Sequence, residues 1–126
     1  MNVVVDSSVW VDFFSGRGVP VLEQALDRGA VLLSPVVLAE LVSGARNARE
    51  LRQLDDLLGD LPLHATPREH WWAVGRLRRF LAEKGVSIST PDAHVAQCAL
   101  DVDVPLFSRD AVFGKVAAHT ALRLVS

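Results

Sequence analysis

Asn2-Val3-Val4-Val5-Asp6-Ser7-Ser8-Val9-Trp10 opens on β-branched residues and changes character at a single acid. The valine run reads as a buried strand ending at Asp6. Ser7 or Ser8 can then cap a helix whose apolar stripe is Val9, Trp10, Phe13 and Phe14, broken by the glycines at 16 and 18. The same unit recurs downstream. Ala30–Ser34 is an apolar strand, and Pro35 sits where a first-turn proline belongs, ahead of a helix over Val36–Ser43. Leu61–Ala65 is a third short strand. Thr66-Pro67 opens a long helix to Lys84, with Thr66 as cap, Glu69 at the capping-box position and Gly85 as the stop. Val104–Phe107 is a fourth strand, followed by a helix over Arg109–Ala118 and a last strand over Ala121–Val125. Further helices fill Val19–Arg28, Asn47–Leu58 and the stretch from Thr90-Pro91 through Leu100. Strands alternating with helices predict an α/β domain: a mostly parallel sheet of about five strands with helices on both faces.

Length and composition agree. The 126 residues make one domain, 1–126, able to bury roughly two-thirds of the surface its unfolded chain exposes. An apolar fraction of 50% with 22% charged residues excludes wholesale disorder. The net charge of -2 gives no bulk basic footprint. Cys98 is the only cysteine, so neither a disulfide framework nor a Cys-based zinc site is expected within one chain. Met1–Phe14 has acids and no basic region, unlike a secretory leader, and the apolar run Ala30–Ala39 is too short to span a bilayer. The expected compartment is the cytoplasm, with no membrane partner.

In open parallel sheets, ligands bind beyond the carboxyl ends of the strands. Four carboxylates map there: Asp6 at the end of the first strand, Glu40 in the helix after the second, Asp92 in the first turn after Thr90-Pro91, and Asp110 just past the fourth strand. Each has a plain structural reading. Asp92 and Asp110 suit helix starts, and Asp6 suits a turn. Glu40 is harder to explain in that way. Its helical neighbours Val36, Val37, Ser43 and Gly44 are apolar or small, and no Lys or Arg lies within one turn, so it needs a distant Arg or a metal ion. Converging acids repel and raise one another's pKa, a penalty that a divalent cation removes. All-oxygen donors suit Mg²⁺ or Mn²⁺, and a carboxylate-held divalent ion is the usual apparatus for phosphodiester hydrolysis.

These residues resemble those of PIN-domain ribonucleases and, among them, the VapC-type toxins of bacterial toxin–antitoxin (VapBC) pairs. The resemblance rests on Val4-Val5-Asp6-Ser7-Ser8-Val9-Trp10-Val11-Asp12, on Ser34-Pro35-Val36-Val37-Leu38-Ala39-Glu40-Leu41 with Gly44, on Pro91-Asp92-Ala93-His94-Val95-Ala96, and on Pro105-Leu106-Phe107-Ser108-Arg109-Asp110-Ala111-Val112-Phe113. It implies a three-layer α/β/α PIN-like fold and a metal-dependent endoribonuclease acting on tRNA or rRNA. The implied ligands of Mg²⁺ or Mn²⁺ are Asp6, Glu40, Asp92 and Asp110, with Ser8 and Ser108 as polar supports. It also implies a homodimer and an antitoxin whose tail lies in an apolar groove near the acids. Many relatives carry a further acid where this chain has Val112, which bears on how a second metal would be held.

Two other classes fit the pattern less well. A non-catalytic interaction domain has no use for Glu40 on that face, and a phosphohydrolase of small phosphate esters needs a snug pocket. Asp6-Ser7-Ser8 lacks the second Asp of an aspartyl-phosphate phosphatase, and no Gly-rich phosphate loop occurs. The histidines 64, 70, 94 and 119 show no zinc-site helical spacing; His94 reads as a surface or capping residue within reach of the acids. Eleven of the 13 basic residues are Arg. Arg46, Arg49 and Arg52, and Arg76, Arg78 and Arg79, read as solvated helix faces, some of them suited to RNA phosphates. Two divalent ions would bring -2 to about +2, so the acidic balance does not exclude RNA. Adjacent Trp71 and Trp72 cannot both face one core, so at least one is expected to be exposed or at an interface.

Overall fold

The computed structural model of the chain describes residues 2–125. Its centre is β1 (Val3–Val5), all three valines buried, with β2 (Val31–Leu32) on one side and β3 (Leu106–Phe107) on the other, all parallel. The register pairs Val3 with Val31 and Val4 with Leu32 on one flank, and Val4 with Leu106 and Val5 with Phe107 on the other. The expected strands at Leu61–Ala65 and Ala121–Val125 shrink to one parallel bridge each among the described residues, Leu63 beside Leu33 and Leu124 beside Leu106. Proline limits the first of these edges. Leu33 N–H donates to Pro62 C=O and His64 N–H to Leu33 C=O, each at 2.8 Å, but Pro62 has no N–H to continue the ladder. On the other edge Leu106 exchanges bonds with Arg123 and Val125 at 2.9 Å.

From edge to edge the five extended segments therefore lie in the order third, second, first, fourth, fifth along the chain. The path leaves β1 toward β2 and later returns to β1's opposite side as β3. The carboxyl ends of β1 and β3 thus flank a topological switch point, where open α/β sheets bind ligands.

The helices follow the predicted periods and differ at their caps. α1 (Ser7–Phe14) has Asp6 itself at its N-cap, whose backbone carbonyl accepts from Val9 and Trp10 while its side chain makes no capping bond. α2 (Pro20–Asp27) precedes Gly29, whose φ of 64° only glycine adopts readily. α3 (Pro35–Ser43) and α4 (Ala48–Leu58) are capped by Ser34 Oγ and Asn47 Oδ1, which accept from Val37 N–H and Glu50 N–H. In α5 (Arg68–Glu83) Pro67 occupies the N-cap, so Thr66 falls one residue outside and the expected capping box does not form. α6 (Thr90–Val102) is capped by Ser89, and α7 (Val112–Ala117) starts late because Asp110 Oδ1 takes the Val112 N–H at 2.9 Å.

α6 is the buried pillar. It packs on β1 and is flanked by α5 and α3, while α1 and α4 both pack against α3. Trp10 is fully buried, with Phe13 and Phe14 at centroid distances of 6.2 and 6.0 Å, and its indole N–H has no partner among the described residues. Trp71 and Trp72, by contrast, are both exposed. No helix among the described residues is long and apolar enough to cross a membrane.

Candidate functional site

Asp6 is the best-held of the four acids. Its backbone N–H donates to Phe107 C=O at 2.9 Å, which fixes the end of β1 against β3. Its side chain is buried, and Oδ2 accepts from both Ser8 Oγ at 2.9 Å and Ser108 Oγ at 2.8 Å. Each serine also accepts in turn, Ser8 Oγ from Arg109 N–H and Ser108 Oγ from Asp110 N–H, both at 3.0 Å. The two hydroxyls therefore lock the turn after β1 to the turn after β3, about a hundred residues away. All the carboxylate's hydrogen bonds among the described residues fall on Oδ2, which leaves Oδ1 available to a ligand.

Glu40 stands on the exposed side of α3, whose buried face is Val37 and Leu41. The expectation that it sits on an apolar face needs that correction: it lies at the rim, about a quarter turn from the buried stripe. Its side chain has neither an ion pair nor a hydrogen bond among the described residues. Partial burial, then the charges of Asp6 and Asp92, push its carboxyl above the ordinary value. Asp92 follows the Ser89 cap of α6. Partial burial raises its carboxyl, the Ser89 hydroxyl opposes, and the charges of Asp6 and Asp110 add to the rise. Asp110 is exposed and spends Oδ1 on the Val112 N–H, so its turn-forming role is real, yet its charge still reaches Asp92.

The four acids thus share one electrostatic neighbourhood at the switch point without closing into a tight sphere. Among the described residues, the only three or more His, Cys, Asp or Glu donors within 4.8 Å of one another are His64, His70 and Cys98, elsewhere in the fold. Among the described residues no Lys, Arg or His forms an ion pair with any of the four acids. Arg109 pairs with Asp12 at 3.3 Å and lies over the Phe107 ring, Arg17 also pairs with Asp12, and Arg46 pairs with Glu50. Raised acid pKa values and missing cations fit a site for a hard divalent ion.

Beside the acids runs a groove of about 310 Å³, lined by Val11, Phe14, Leu41, Ala45 and Leu54 with Glu40 at its edge. The basic residues divide: Arg78 is spent on Ile88 C=O at 2.9 Å, while Arg68, Arg76 and Arg79 surround Trp71 and Trp72 on the outer face of α5.

The histidines were misjudged from sequence. His94 is neither surface nor cap: it is fully buried, with Nε2 2.6 Å from Ser34 Oγ and Nδ1 2.7 Å from His70 Nε2. His70 Nδ1 lies 2.6 Å, and His64 Nε2 2.9 Å, from Asp101 Oδ2. The available signal was His70 in the apolar stripe Val74, Leu77, Leu81 of α5, a polar residue at a core position.

With this geometry in place, the chain belongs to the PIN domain family, whose model matches residues 3–119. The class is that of nuclease-type hydrolases. Similar solved structures come from toxin–antitoxin complexes. VapBC2 from Rickettsia felis, bound to a DNA fragment from their promoter, matches with TM-score 0.81 at 21% identity, covering 99% of this chain and 98% of that one. VapBC-1 from nontypeable Haemophilus influenzae matches with TM-score 0.80 at 16% identity, covering 100% and 98%. VapBC-5 from Mycobacterium tuberculosis matches with TM-score 0.70 at 23% identity, covering 99% and 98%. At these identities the likeness is one of fold. A search of curated protein sequences finds no match.

Proposed function

We propose that this chain is a metal-dependent endoribonuclease and the toxin of a type II toxin–antitoxin pair, acting on tRNA or rRNA. The observation that carries the reading is the convergence of Asp6, Glu40, Asp92 and Asp110 at the switch point with no cation among the described residues paired to them. Asp6 and Asp92 would hold Mg²⁺ or Mn²⁺, and Glu40 and Asp110 would complete the acidic pocket and orient the attacking water. When bound, such an ion polarises the phosphodiester and supplies hydroxide at neutral pH. Ser8 and Ser108 hold Asp6 through Oδ2, which leaves Oδ1 for the ion. Exposure of Glu40 and Asp110 gives an open edge, which suits a polymer strand better than a small phosphate ester.

The antitoxin would lie along the groove beside Glu40, where an antitoxin Arg or Lys could enter the acid pocket in place of metal. Fold likeness to VapBC complexes supports this partner. Exposed Trp71 and Trp72 support a homodimer. The test is RNA cleavage and cellular toxicity for Asp6→Asn and Asp92→Asn, with sequencing of new RNA ends in expressing cells. Both variants should fold and lose cleavage. Retained cleavage by either one, free of contaminating nuclease, refutes the assignment.

A further inference from the structure

Outside the acidic edge, the densest set of reactive side chains is buried where α5, α6 and the segment before α5 meet. One donor atom each of His64, His70 and Cys98 lies within 4.8 Å of the others. Two imidazole nitrogens from different segments, His64 Nε2 and His70 Nδ1, aim at a single oxygen, Asp101 Oδ2, at 2.9 and 2.6 Å. We propose that His64, His70, Cys98 and Asp101 form a second metal centre for a borderline transition cation, with Zn²⁺ the first candidate.

Three features carry this. The donor set is two nitrogens, one sulfur and one oxygen, which favours Zn²⁺ and its neighbours over Mg²⁺ or Ca²⁺. The dimensions allow it: bonds of about 2.0–2.3 Å make tetrahedron edges of roughly 3.3–3.8 Å, so the present 2.6 and 2.9 Å edges to Asp101 must open, and the donors of His64, His70 and Cys98, now within 4.8 Å of one another, must draw in by up to about 1 Å. The charge balances too, since a divalent ion with one thiolate and one carboxylate is neutral, the condition for burial. Hydrogen bonding explains the imidazoles, while the thiol's contacts to His94 are long, at 3.5 and 3.9 Å. Asp101 is partly exposed and provides the way in.

The proton accounting is closed. In the metal-free protein, His64 Nε2–H and His70 Nδ1–H donate to Asp101, His94 Nδ1–H donates to His70 Nε2, and Ser34 O–H donates to His94 Nε2, a polarity assigned from the network. On metal binding through Nε2, the His64 proton moves to Nδ1. The His70 proton moves to Nε2 and donates to His94 Nδ1, and His94 in turn donates from Nε2 to Ser34 Oγ. The sole net loss is the Cys98 thiol proton, so binding releases about one proton per metal. Burial, together with the Asp101 charge, pushes the metal-free Cys98 thiol up to about 12, so the thiol is protonated until metal arrives.

This centre is separate from the acids: Cys98 is six residues beyond Asp92 on α6, about 9 Å along the axis. Co²⁺ is the probe, because a thiolate–cobalt charge-transfer band requires sulfur and cannot arise at carboxylates. Untagged, chelator-treated protein should gain that band, saturating near one equivalent, with release of about one proton per metal. Zn²⁺ should abolish it, Cys98→Ser should lack it, and Asp6→Asn should keep it whatever its nuclease activity. If Cys98→Ser fails to fold, the wild-type titration decides: a spectrum without the thiolate band, or with no proton release, overturns the proposal. A band that survives in folded Cys98→Ser overturns it as well.

Discussion

Replacing Ser108 by Ala should loosen the acidic edge by a definable amount. The hydroxyl donates to Asp6 Oδ2 at 2.8 Å and accepts from Asp110 N–H at 3.0 Å. A hydrogen bond to a charged group contributes about 1.5–3 kcal/mol net. Asp6 is 6% exposed, so water replaces the lost donor poorly. The backbone N–H of exposed Asp110, by contrast, recovers its bond from solvent and adds little. The expected loss is about 2 kcal/mol, which for a domain of this size lowers Tm by roughly 8 °C. Ser8→Ala removes the other donor to the same oxygen at 2.9 Å, so the two changes should be non-additive. Urea unfolding of the two single variants and the double variant, in chelator, measures both quantities. A Ser108→Ala loss under about 0.5 kcal/mol, the range of ordinary surface changes, would show that the serine clamp does not hold Asp6. Additive effects would show that the two hydroxyls act independently.

Asp92→Asn tests repulsion. Glu40 and Asp92 both have folded-state pKa values above their ordinary 4.5 and 3.8, so their stabilising contribution is full below those ordinary values and is lost as pH rises through the folded ones. In chelator, thermal unfolding from mildly acidic to neutral pH should show a smaller decline for Asp92→Asn and a higher neutral-pH stability than wild type. Wild type should regain about 2.7 kcal/mol at metal a hundredfold above its Kd, and the variant much less. If the substitution destabilises the metal-free protein, Asp92 is a helix-start residue alone. Light scattering at micromolar concentration should give a dimer, and Trp72→Glu, at a position 63% exposed, should shift it toward monomer without lowering Tm. Trp10→Phe should cost less than the 3–5 kcal/mol of a large-to-small core change, because it also removes a buried indole N–H with no partner; denaturant unfolding checks this.

The parallel α/β architecture was legible because three valines, a polar break and an amphipathic stripe recur in order, and periodicity survives ignorance of tertiary contacts. Sheet extent was not. Leu61–Ala65 has strand composition, but Pro62 limits its pairing to one residue, and whether an edge continues depends on donors in the partner. The acids were legible as a set because topology sends strand ends to one edge. The posture of Glu40 was not, since a nine-residue helix can turn that side chain to the rim without changing its neighbours in sequence. The histidine network was invisible for a related reason. Its members come from four segments, and each alone looks like a tolerated polar residue.

The acidic edge and the histidine cluster meet mechanically in one hydrogen bond. Ser34 Oγ caps α3 through Val37 N–H at 3.2 Å and contacts His94 Nε2 at 2.6 Å. α3 carries Glu40 near its far end, and His94 sits two residues after Asp92 on α6. The spacing between these two acids is therefore held by a buried contact between the helices that bear them, and His94 in turn leans on His70 and Asp101. Buried polar contacts of this kind have few alternative arrangements, because leaving either partner unsatisfied costs about 1–3 kcal/mol. Like charges at the edge push α3 and α6 apart, and the Ser34–His94 bond with the packing around it resists. A network with no reach to the substrate thus keeps the two carboxylates close enough for the Asp92 charge to add to the raised Glu40 pKa, and so keeps the edge receptive to a cation.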